Sequence, residues 1–551
     1  MALSHEQLIE AAIRQRMIEQ ETLNQLRLEA RRKRIDVIDA VCAHYRLPLS
    51  SLYRAAAETR GVPFLEYAQM QQLDLDALKK IPQALAKRKG YVPVKQGDGE
   101  LLLATFDVDD RASIDTVRRV VGQPVTVALA EPVTVNAVLN RAYQSLAGAA
   151  SHTGNVSTAS AEVDLVSLLD QIFKEAYLRR SSDIHIMQNE YGLRVRLRVD
   201  GELQEYITEG AHDFNVANGL ISRVKVLANL DIAEQREPQD GGMSYYLPPP
   251  IDSEFNVRVA TAPTRLGERI TMRILGQDAQ DLTLQKIGMA ESDLAMFQKA
   301  IRKPFGMILI TGPTGSGKST TLFAALREIN TPTINIMTVE NPVEYVMEGV
   351  SQIQTGAKVT FASALRSLLR HDPDVMMVGE IRDEETADTA LKAAMTGHLV
   401  FSTLHTNTAV GCISRLADIG CEPFLIGSTM NAVIAQRLVR RLCTHCKEEY
   451  LACDEEKALL DIAPDTPLKL YKPVGCAMCQ GTGYRGRLGL FETLWFDEEL
   501  SKLVSKGCSE EELEARAGSR LRPMWIDGAS KVLAGITTLA EVETVAIKRD
   551  A

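Results

Sequence analysis

Residues 307–320 read Met307-Ile-Leu-Ile-Thr311-Gly312-Pro313-Thr314-Gly315-Ser316-Gly317-Lys318-Ser319-Thr320. A short apolar run opens directly into G-x-x-x-x-G-K-[ST], and a helical pattern follows from Ser319 to Glu328. Glycines in such a turn let backbone N–H groups converge on phosphate oxygens, and the start of the helix adds the positive end of its dipole. Lys318 is then placed to reach the β- and γ-phosphates, and Ser319 to ligate Mg²⁺. The segment predicts a nucleotide-binding loop, Gly312 to Thr320, on an α/β fold.

Outward from this turn the chain repeats short apolar runs, Ile334 to Val339, Val375 to Val378 and Leu399 to Thr403, with helical stretches such as Glu384 to Met395 between them. Runs of that kind suit a buried parallel sheet with crossover helices. A phosphate loop also needs a carboxylate at the end of a neighbouring strand, to hold Mg²⁺ through water or to polarise the attacking water. In Val375-Met-Met-Val378-Gly379-Glu380 a glycine stands where the usual aspartate would, and Glu380 follows it. Glu340, at the end of the 334–339 run, competes for the role of base, with Glu344 a weaker third; by position Glu340 and Glu380 are equal candidates.

The 551 residues are 45% hydrophobic and 24% charged, which fits a globular chain of about three to five domains. A net charge of −10 and 5% aromatics leave little for a broad nucleic-acid binder. No run approaches the ~18 apolar residues of a membrane span, and Met1 to Gln20 lacks the apolar core of a signal peptide, so a cytoplasmic protein is expected.

Toward the N-terminus, Leu8, Ile9, Ile13, Met17 and Ile18, then Ile35, Val37, Ile38 and Val41, recur near helical spacing. The basic run Arg31 to Arg34 sits among acids and reads as a solvated face. Residues 61–143 mix strand signals (91–94, 101–105) with a helix at 111–121, and 145–161 turns to Ser, Gly, Ala and Thr, as a linker does. A helix at 163–180 precedes Leu193-Arg194-Val195-Arg196-Leu197-Arg198-Val199, where period two sends the aliphatics to a core and the arginines to the other face. With the proline turn 247–250 and the strand 255–260, this predicts an antiparallel α+β domain ending near Leu275.

The cysteines concentrate toward the C-terminus. Cys443-Thr-His445-Cys446 and Cys476-Ala-Met-Cys479 form two C-x-x-C knuckles, enough to give four thiolates to one tetrahedral Zn²⁺. His445 and Cys453 are the nearest substitutes, and cytosolic disulfides the weaker alternative.

With these residues in place, the chain resembles the secretion-superfamily motor ATPases of the type II secretion and type IV pilus assembly type. Four motifs in order carry the resemblance: the loop Gly312 to Thr320; the acidic box Thr338-Val-Glu340-Asn341-Pro-Val-Glu344-Tyr345; the segment Asp372-Pro-Asp-Val-Met-Met-Val-Gly379-Glu380-Ile-Arg382-Asp383; and the histidine box Thr396-Gly-His398-Leu-Val-Phe-Ser-Thr-Leu-His405-Thr-Asn407. The resemblance implies an α/β protein in which a RecA-like P-loop NTPase domain follows a PAS-like α+β domain and a small N-terminal α/β domain, with a zinc-knuckle and helical module at the C-terminus. The expected division is a helical module at 1–60, a docking domain at 61–145, a linker at 146–161, the α+β domain at 162–280, the ATPase domain at 284–440, a tetracysteine insertion at 441–490 and a helical region at 491–551.

The resemblance further implies a homohexamer that binds ATP and Mg²⁺ and holds Zn²⁺ at Cys443, Cys446, Cys476 and Cys479. Catalytic roles fall to Glu340, Glu380, His398 and His405, and phosphate contacts to Arg196, Arg198, Arg223, Arg366, Arg370 and Arg382. The N-terminal region is expected to dock on cytoplasmic parts of an inner-membrane platform, making the protein peripheral to that membrane, with no nucleic acid involved. Some relatives bind cyclic di-GMP through an Arg-Leu-Gly motif near the N-terminus; Met1 to Arg34 has none, which favours protein docking. The acidic box departs from the family at Asn341, where an aspartate is general.

The implied activity is ATP hydrolysis powering the addition of pilin-like subunits. A RecA-like nucleic-acid translocase shares the loop and ring but is disfavoured by the acidic balance and scarce aromatics. A hydrolysis-poor nucleotide-switch scaffold draws some support from Asn341.

Overall fold

The computed structural model describes residues 2–95, 101–148, 164–190, 192–208, 214–276, 283–356 and 358–548. They fall into two compact units, residues 1–277 with 475–483, and residues 278–474 with 484–551. The expected linker lies outside the described residues from 149 onward.

The first unit begins with four helices, α1 (His5–Arg14), α2 (Gln20–Lys33), α3 (Val37–Tyr45) and α4 (Leu49–Arg60). Local chemistry sets the outer ends: Ser4 and Gln7 form a capping box at α1, and Gly61 closes α4 in the left-handed region. Next come α5 (Leu75–Lys80), α6 (Gln83–Lys89), β1 (Val92–Lys95), β2 (Leu101–Thr105), α7 (Arg111–Val121), β3 (Val125–Leu129) and α8 (Pro132–Gly148). Their sheet runs β1-β2-β3, antiparallel at the first pair and parallel at the second.

The rest of this unit comprises α9 (Leu165–Leu178), β4 (Ser181–Asn189), β5 (Gly192–Val199), β6 (Glu202–Tyr206), α10 (Phe214–Leu227), β7 (Gln239–Leu247), β8 (Ser253–Thr264) and β9 (Gly267–Leu275). The strands form an antiparallel sheet in the order β6-β5-β4-β9-β8-β7. Leu193, Val195, Leu197 and Val199 pack with Leu169, Phe173, Leu220 and Val224 of α9 and α10. Period two then leaves Arg194, Arg196 and Arg198 on the opposite face, with His185 opposite Arg196 in the register.

The second unit contains α11 (Glu291–Ala300), β10 (Gly306–Thr311), α12 (Lys318–Ile329), β11 (Ile336–Glu340), β12 (Val350–Gln354), α13 (Phe361–Leu368), β13 (Val375–Val378), α14 (Glu384–Met395), β14 (Leu399–Leu404), α15 (Val410–Ile419), α16 (Pro423–Thr429) and β15 (Met430–Leu442). It continues through β16 (Glu448–Leu451), α17 (Asp454–Leu459), β17 (Lys469–Lys472), β18 (Tyr484–Trp495), α18 (Glu498–Ser505), α19 (Glu510–Ala517), β19 (Leu521–Arg522), α20 (Met524–Leu533) and α21 (Leu539–Glu543). Among the described residues the main sheet runs β12-β11-β13-β14-β10-β15-β18-β19. Both faces are covered. Met307 and Leu309 join the core that includes α13 to α16, while Ile308 and Ile310 join the one that includes α11 and α12.

Two expectations change here. The sheet is mixed, not all parallel, because β18 pairs antiparallel with β15. The expected boundaries at 440 and 490 accordingly fall inside strands, and 491–551, expected as helical, opens with the buried second half of β18. Residues 488–495 are buried throughout, as a strand inside a sheet must be, so the cysteine spacing did not mark the edge of the fold. Among the described residues no helix is long and apolar enough to cross a membrane.

Candidate nucleotide site and cysteine cluster

β10 delivers the chain to the C-terminal edge of its sheet, where parallel sheets place their sites. Thr311 fixes that edge: its Oγ1 accepts from Thr406 N at 2.8 Å, and the two threonine hydroxyls lie 2.8 Å apart. The loop then turns through positive φ at Gly312 (148°), Gly315 (80°) and Gly317 (86°). At Gly312 a Cβ would lie 2.5 Å from Gln436 O and 2.7 Å from Ser316 Oγ, so only glycine lets the loop approach β15 this closely.

Lys318 folds back over the loop, its Nζ donating to Gly312 O at 2.7 Å and Pro313 O at 3.1 Å. Burial pushes its pKa down to about 8, opposed by Glu380 and Glu344 and reinforced by Arg437. Ser316 Oγ is buried with no hydrogen-bond partner among the described residues. Ser319 and Thr320 follow in the first turn of α12, whose N–H groups have no acceptor within the helix. An ammonium held only by carbonyls, an orphaned hydroxyl and a helix start fit a phosphate chain.

The carboxylates stand on the neighbouring strands. Gly379 bridges β11 and β14, donating N–H to Val339 O (2.8 Å) and accepting at O from Thr403 Oγ1 (2.7 Å). A Cβ there would lie 3.2 Å from Val339 O, a tight approach at the usual aspartate position. Glu380 emerges beyond it, 2.5 Å from Arg382 Nη2 and 3.6 Å from His405 Nε2. Glu340 is 3% exposed, and its Oε1 accepts from Thr338 Oγ1 (2.5 Å) and Gln352 Nε2 (3.0 Å). Burial raises its pKa, and those two bonds partly offset the rise. The two carboxylates thus differ in setting: Glu340 is buried against Thr338 and Gln352, whereas Glu380 faces Arg382 and His405.

His398 is a correction. β10 and β14 pair from Gly306↔Leu399 to Thr311↔Leu404, so His405 leaves at the loop edge and His398 enters at the opposite edge. The six strand residues between them hold them about 23 Å apart, seven steps at ~3.3 Å per residue. His398 Nδ1 instead lies 3.0 Å from Ala393 O at the end of α14.

The arginines divide. Arg382 pairs with Glu380, whereas Arg366 pairs with Glu385 and Arg370 donates to Arg366 O (3.0 Å), both on exposed surface. In the first unit, Arg198 donates to Gly201 O (2.7 Å), and the Nε atoms of Arg196 and Arg223 are buried with no hydrogen-bond partner among the described residues. Burial lowers the pKa of Arg196, and Arg194 and Arg269 lower it further. The sequence reading missed Gln436 and Arg437, which flank Gly312 from β15. Their one signal was a polar pair inside the otherwise apolar run Ala432 to Val439.

The sulfur ligand atoms of Cys443, Cys446, Cys476 and Cys479 all lie within 4.8 Å of one another. Cys476 Sγ and Cys479 Sγ are 3.8 Å apart, the edge of a tetrahedron with metal–sulfur bonds of about 2.3 Å and too far for a disulfide. Backbone N–H groups of Cys476 (3.1 Å) and Gly483 (3.2 Å) donate to Cys479 Sγ, as they would to a thiolate. The donor set is compatible with zinc. Cys453 is exposed, and among the described residues the cluster comprises the four knuckle cysteines, without His445.

A sequence profile described as type II/IV secretion system protein matches residues 158–544, and one described as MshEN domain matches 60–149. The chain is 42% identical over 518 residues to the type II secretion system protein E of Pseudomonas aeruginosa, covering 90% of this chain and 98% of that one. It is 36% identical over 558 residues to the type IV pilus assembly ATPase PilB of Myxococcus xanthus, covering 97% of each. Among solved structures, the ATPase DotB of Legionella pneumophila aligns with a TM-score of 0.52 at 23% identity, over 72% of this chain and 99% of that one, a likeness of fold.

Proposed function

The chain belongs to the type II/IV secretion system protein family and is an ATPase, and we propose that it hydrolyses ATP to drive addition of pilin-like subunits, the step common to type II secretion and type IV pilus assembly. The observation that carries this reading is that the phosphate loop with Lys318 and the Glu380–His405 pair leave adjacent strands of one sheet at the same edge.

In the proposed cycle, Lys318 exchanges the carbonyls of Gly312 and Pro313 for β- and γ-phosphate oxygens, while the loop and the first turn of α12 present N–H groups. Mg²⁺, with Ser319 as its protein ligand, would neutralise charge on the phosphates. Glu380 orients the attacking water, and His405, beside it, reads the γ-phosphate. Glu340 is the second carboxylate of the site, and its raised pKa suits it to take a proton. Within a homohexamer, Arg196, Arg198, Arg223, Arg366, Arg370 and Arg382 are the cations proposed to meet the phosphoryl group at subunit boundaries. The four cysteines hold a structural Zn²⁺, and the N-terminal region docks on an inner-membrane platform.

The test is phosphate release by full-length Lys318→Ala with Mg²⁺ and ATP. A loss of at least about a hundredfold is expected, and a wild-type rate would overturn the assignment.

A further inference from the structure

β15 lies beside β10 on the flank away from Glu380, with Thr311 opposite Ala435. The next two residues therefore stand level with the start of the phosphate loop. Gln436 is buried and locked in place: its Oε1 accepts from Thr321 Oγ1 at 2.8 Å. Arg437 carries its guanidinium to the loop itself, with Nη1 3.1 Å from the point a Gly312 Cβ would occupy.

Among the described residues, the hydrogen bonds of this guanidinium go to neutral oxygens. Nη1 donates to Gln436 O at 3.1 Å, and Nη2 to Asn407 Oδ1 at 3.0 Å and Asn407 O at 3.4 Å. Burial lowers its pKa and Glu492 opposes the shift, but Glu492 Oε1 already accepts from Ala409 N at 2.7 Å. Arg437 in turn helps to lower the pKa of Lys318. Two cations thus converge on Gly312, one held by carbonyls and one by carbonyls and an amide, and Arg437 raises the cost of the charge on Lys318. An anion in the loop relieves both at once. Asn407 and Gln436 hold the planar fork in place before that anion arrives, which reduces the entropy lost on binding.

We propose that Arg437 is a phosphate-binding residue of the nucleotide site, a guanidinium from the same chain that joins Lys318 on the nucleotide's phosphates. The inference rests on the ATPase reading and deepens it. It assigns the β15 flank of the loop to binding the phosphates, while the β13 and β14 flank carries the groups for hydrolysis.

Full-length Arg437→Gln and Arg437→Lys test it by competition of pyrophosphate and ADP against a fluorescent ADP. Pyrophosphate has neither base nor sugar, so it isolates the phosphate contact. Arg437→Gln is expected to weaken both ligands by about ten- to a hundredfold, the worth of a hydrogen bond to a charged group. It is also expected to move the Lys318-dependent pH inflection of binding upward, because a like charge has gone. A merely structural strut would leave that inflection in place. Arg437→Lys keeps the charge and guards against misfolding; it is expected to weaken pyrophosphate by about two- to tenfold and to hold the inflection. Wild-type pyrophosphate affinity in either variant, or an unmoved inflection in Arg437→Gln, overturns the proposal. If Lys318→Ala is inactive while both Arg437 variants bind normally, this inference alone falls; a wild-type rate in Lys318→Ala removes the ATPase reading itself.

Discussion

The state of Lys318 makes nucleotide affinity depend on pH over a range where an ordinary lysine would not respond. Its ammonium is partly desolvated over the loop, and burial holds its pKa at about 8 instead of 10.5. Phosphate oxygens favour the charged form, so binding draws the pKa back up and the neutral form must be protonated first. The sign follows: affinity is full below the free-state pKa and is lost as pH rises through it. For a pKa of about 8 the apparent Kd scales as 1 + 10^(pH − 8), so it rises about tenfold between roughly pH 7 and pH 9, or about 1.4 kcal/mol. With the pKa at 10.5 the same interval would change Kd by only a few per cent. Titration of wild type with fluorescent ADP across that range is the assay, and Lys318→Arg is its control, since a guanidinium stays charged throughout. The variant is expected to bind more weakly but with a flat profile. A flat wild-type profile, or an equal slope in Lys318→Arg, would refute the desolvated-ammonium argument.

Two further outcomes can be checked. Gly312→Ala is expected to keep the fold, seen in an unchanged melting profile within a few degrees, yet to lose nucleotide binding. The new Cβ meets Gln436 O at 2.5 Å at a φ of 148°, and the loop must open to relieve it. Purified protein is expected to carry one zinc per chain by elemental analysis, and Cys476→Ser with Cys479→Ser to lose it and melt at lower temperature, since metal binding is folding energy here.

The sequence made the loop legible because its chemistry is local: glycine, lysine and serine at fixed spacing, flanked by a strand and a helix. The alternation from Leu193 to Val199 and the paired cysteine knuckles were legible for the same reason. What escaped depends on pairing between distant segments. Arg437 is a loop neighbour only because β15 lies beside β10 in the register that sets Ala435 opposite Thr311, a relation between residues more than a hundred positions apart. The run 484–495 was hidden by its closeness to the cysteines, although its buried aliphatic and aromatic residues are those of a central strand. That His398 and His405 flank one strand was legible in the apolar run between them, and the pairing with β10 puts His405 at the loop edge and His398 at the other. Gly379 looked like a missing carboxylate; the structure gives it a backbone role between two strands that leaves little room for a side chain.

Asn341 is the departure that bears on whether this member of the family hydrolyses ATP well, and its surroundings decide the matter. Glu340 points into the protein, where Thr338 and Gln352 hold it, whereas Asn341 is exposed. A unit charge about 4 Å from its target is worth about 1 kcal/mol in water and several times more at a buried site, and mobile ions screen only the former well. Losing an aspartate at 341 therefore removes a solvated charge, not a buried one. Restoring it by Asn341→Asp is expected to change the hydrolysis rate by less than about fivefold, equivalent to about 1 kcal/mol. The direction is also fixed. A new carboxylate next to Glu340 raises a pKa that burial has already raised, so any shift of the acid limb of the pH–rate profile is upward. Glu340→Gln, by contrast, removes the buried charge itself and is expected to cost at least about tenfold in steady-state phosphate release. A gain of more than about tenfold in Asn341→Asp would mean that position 341 reaches the phosphates, and that the exposed site has to close before ATP is cleaved.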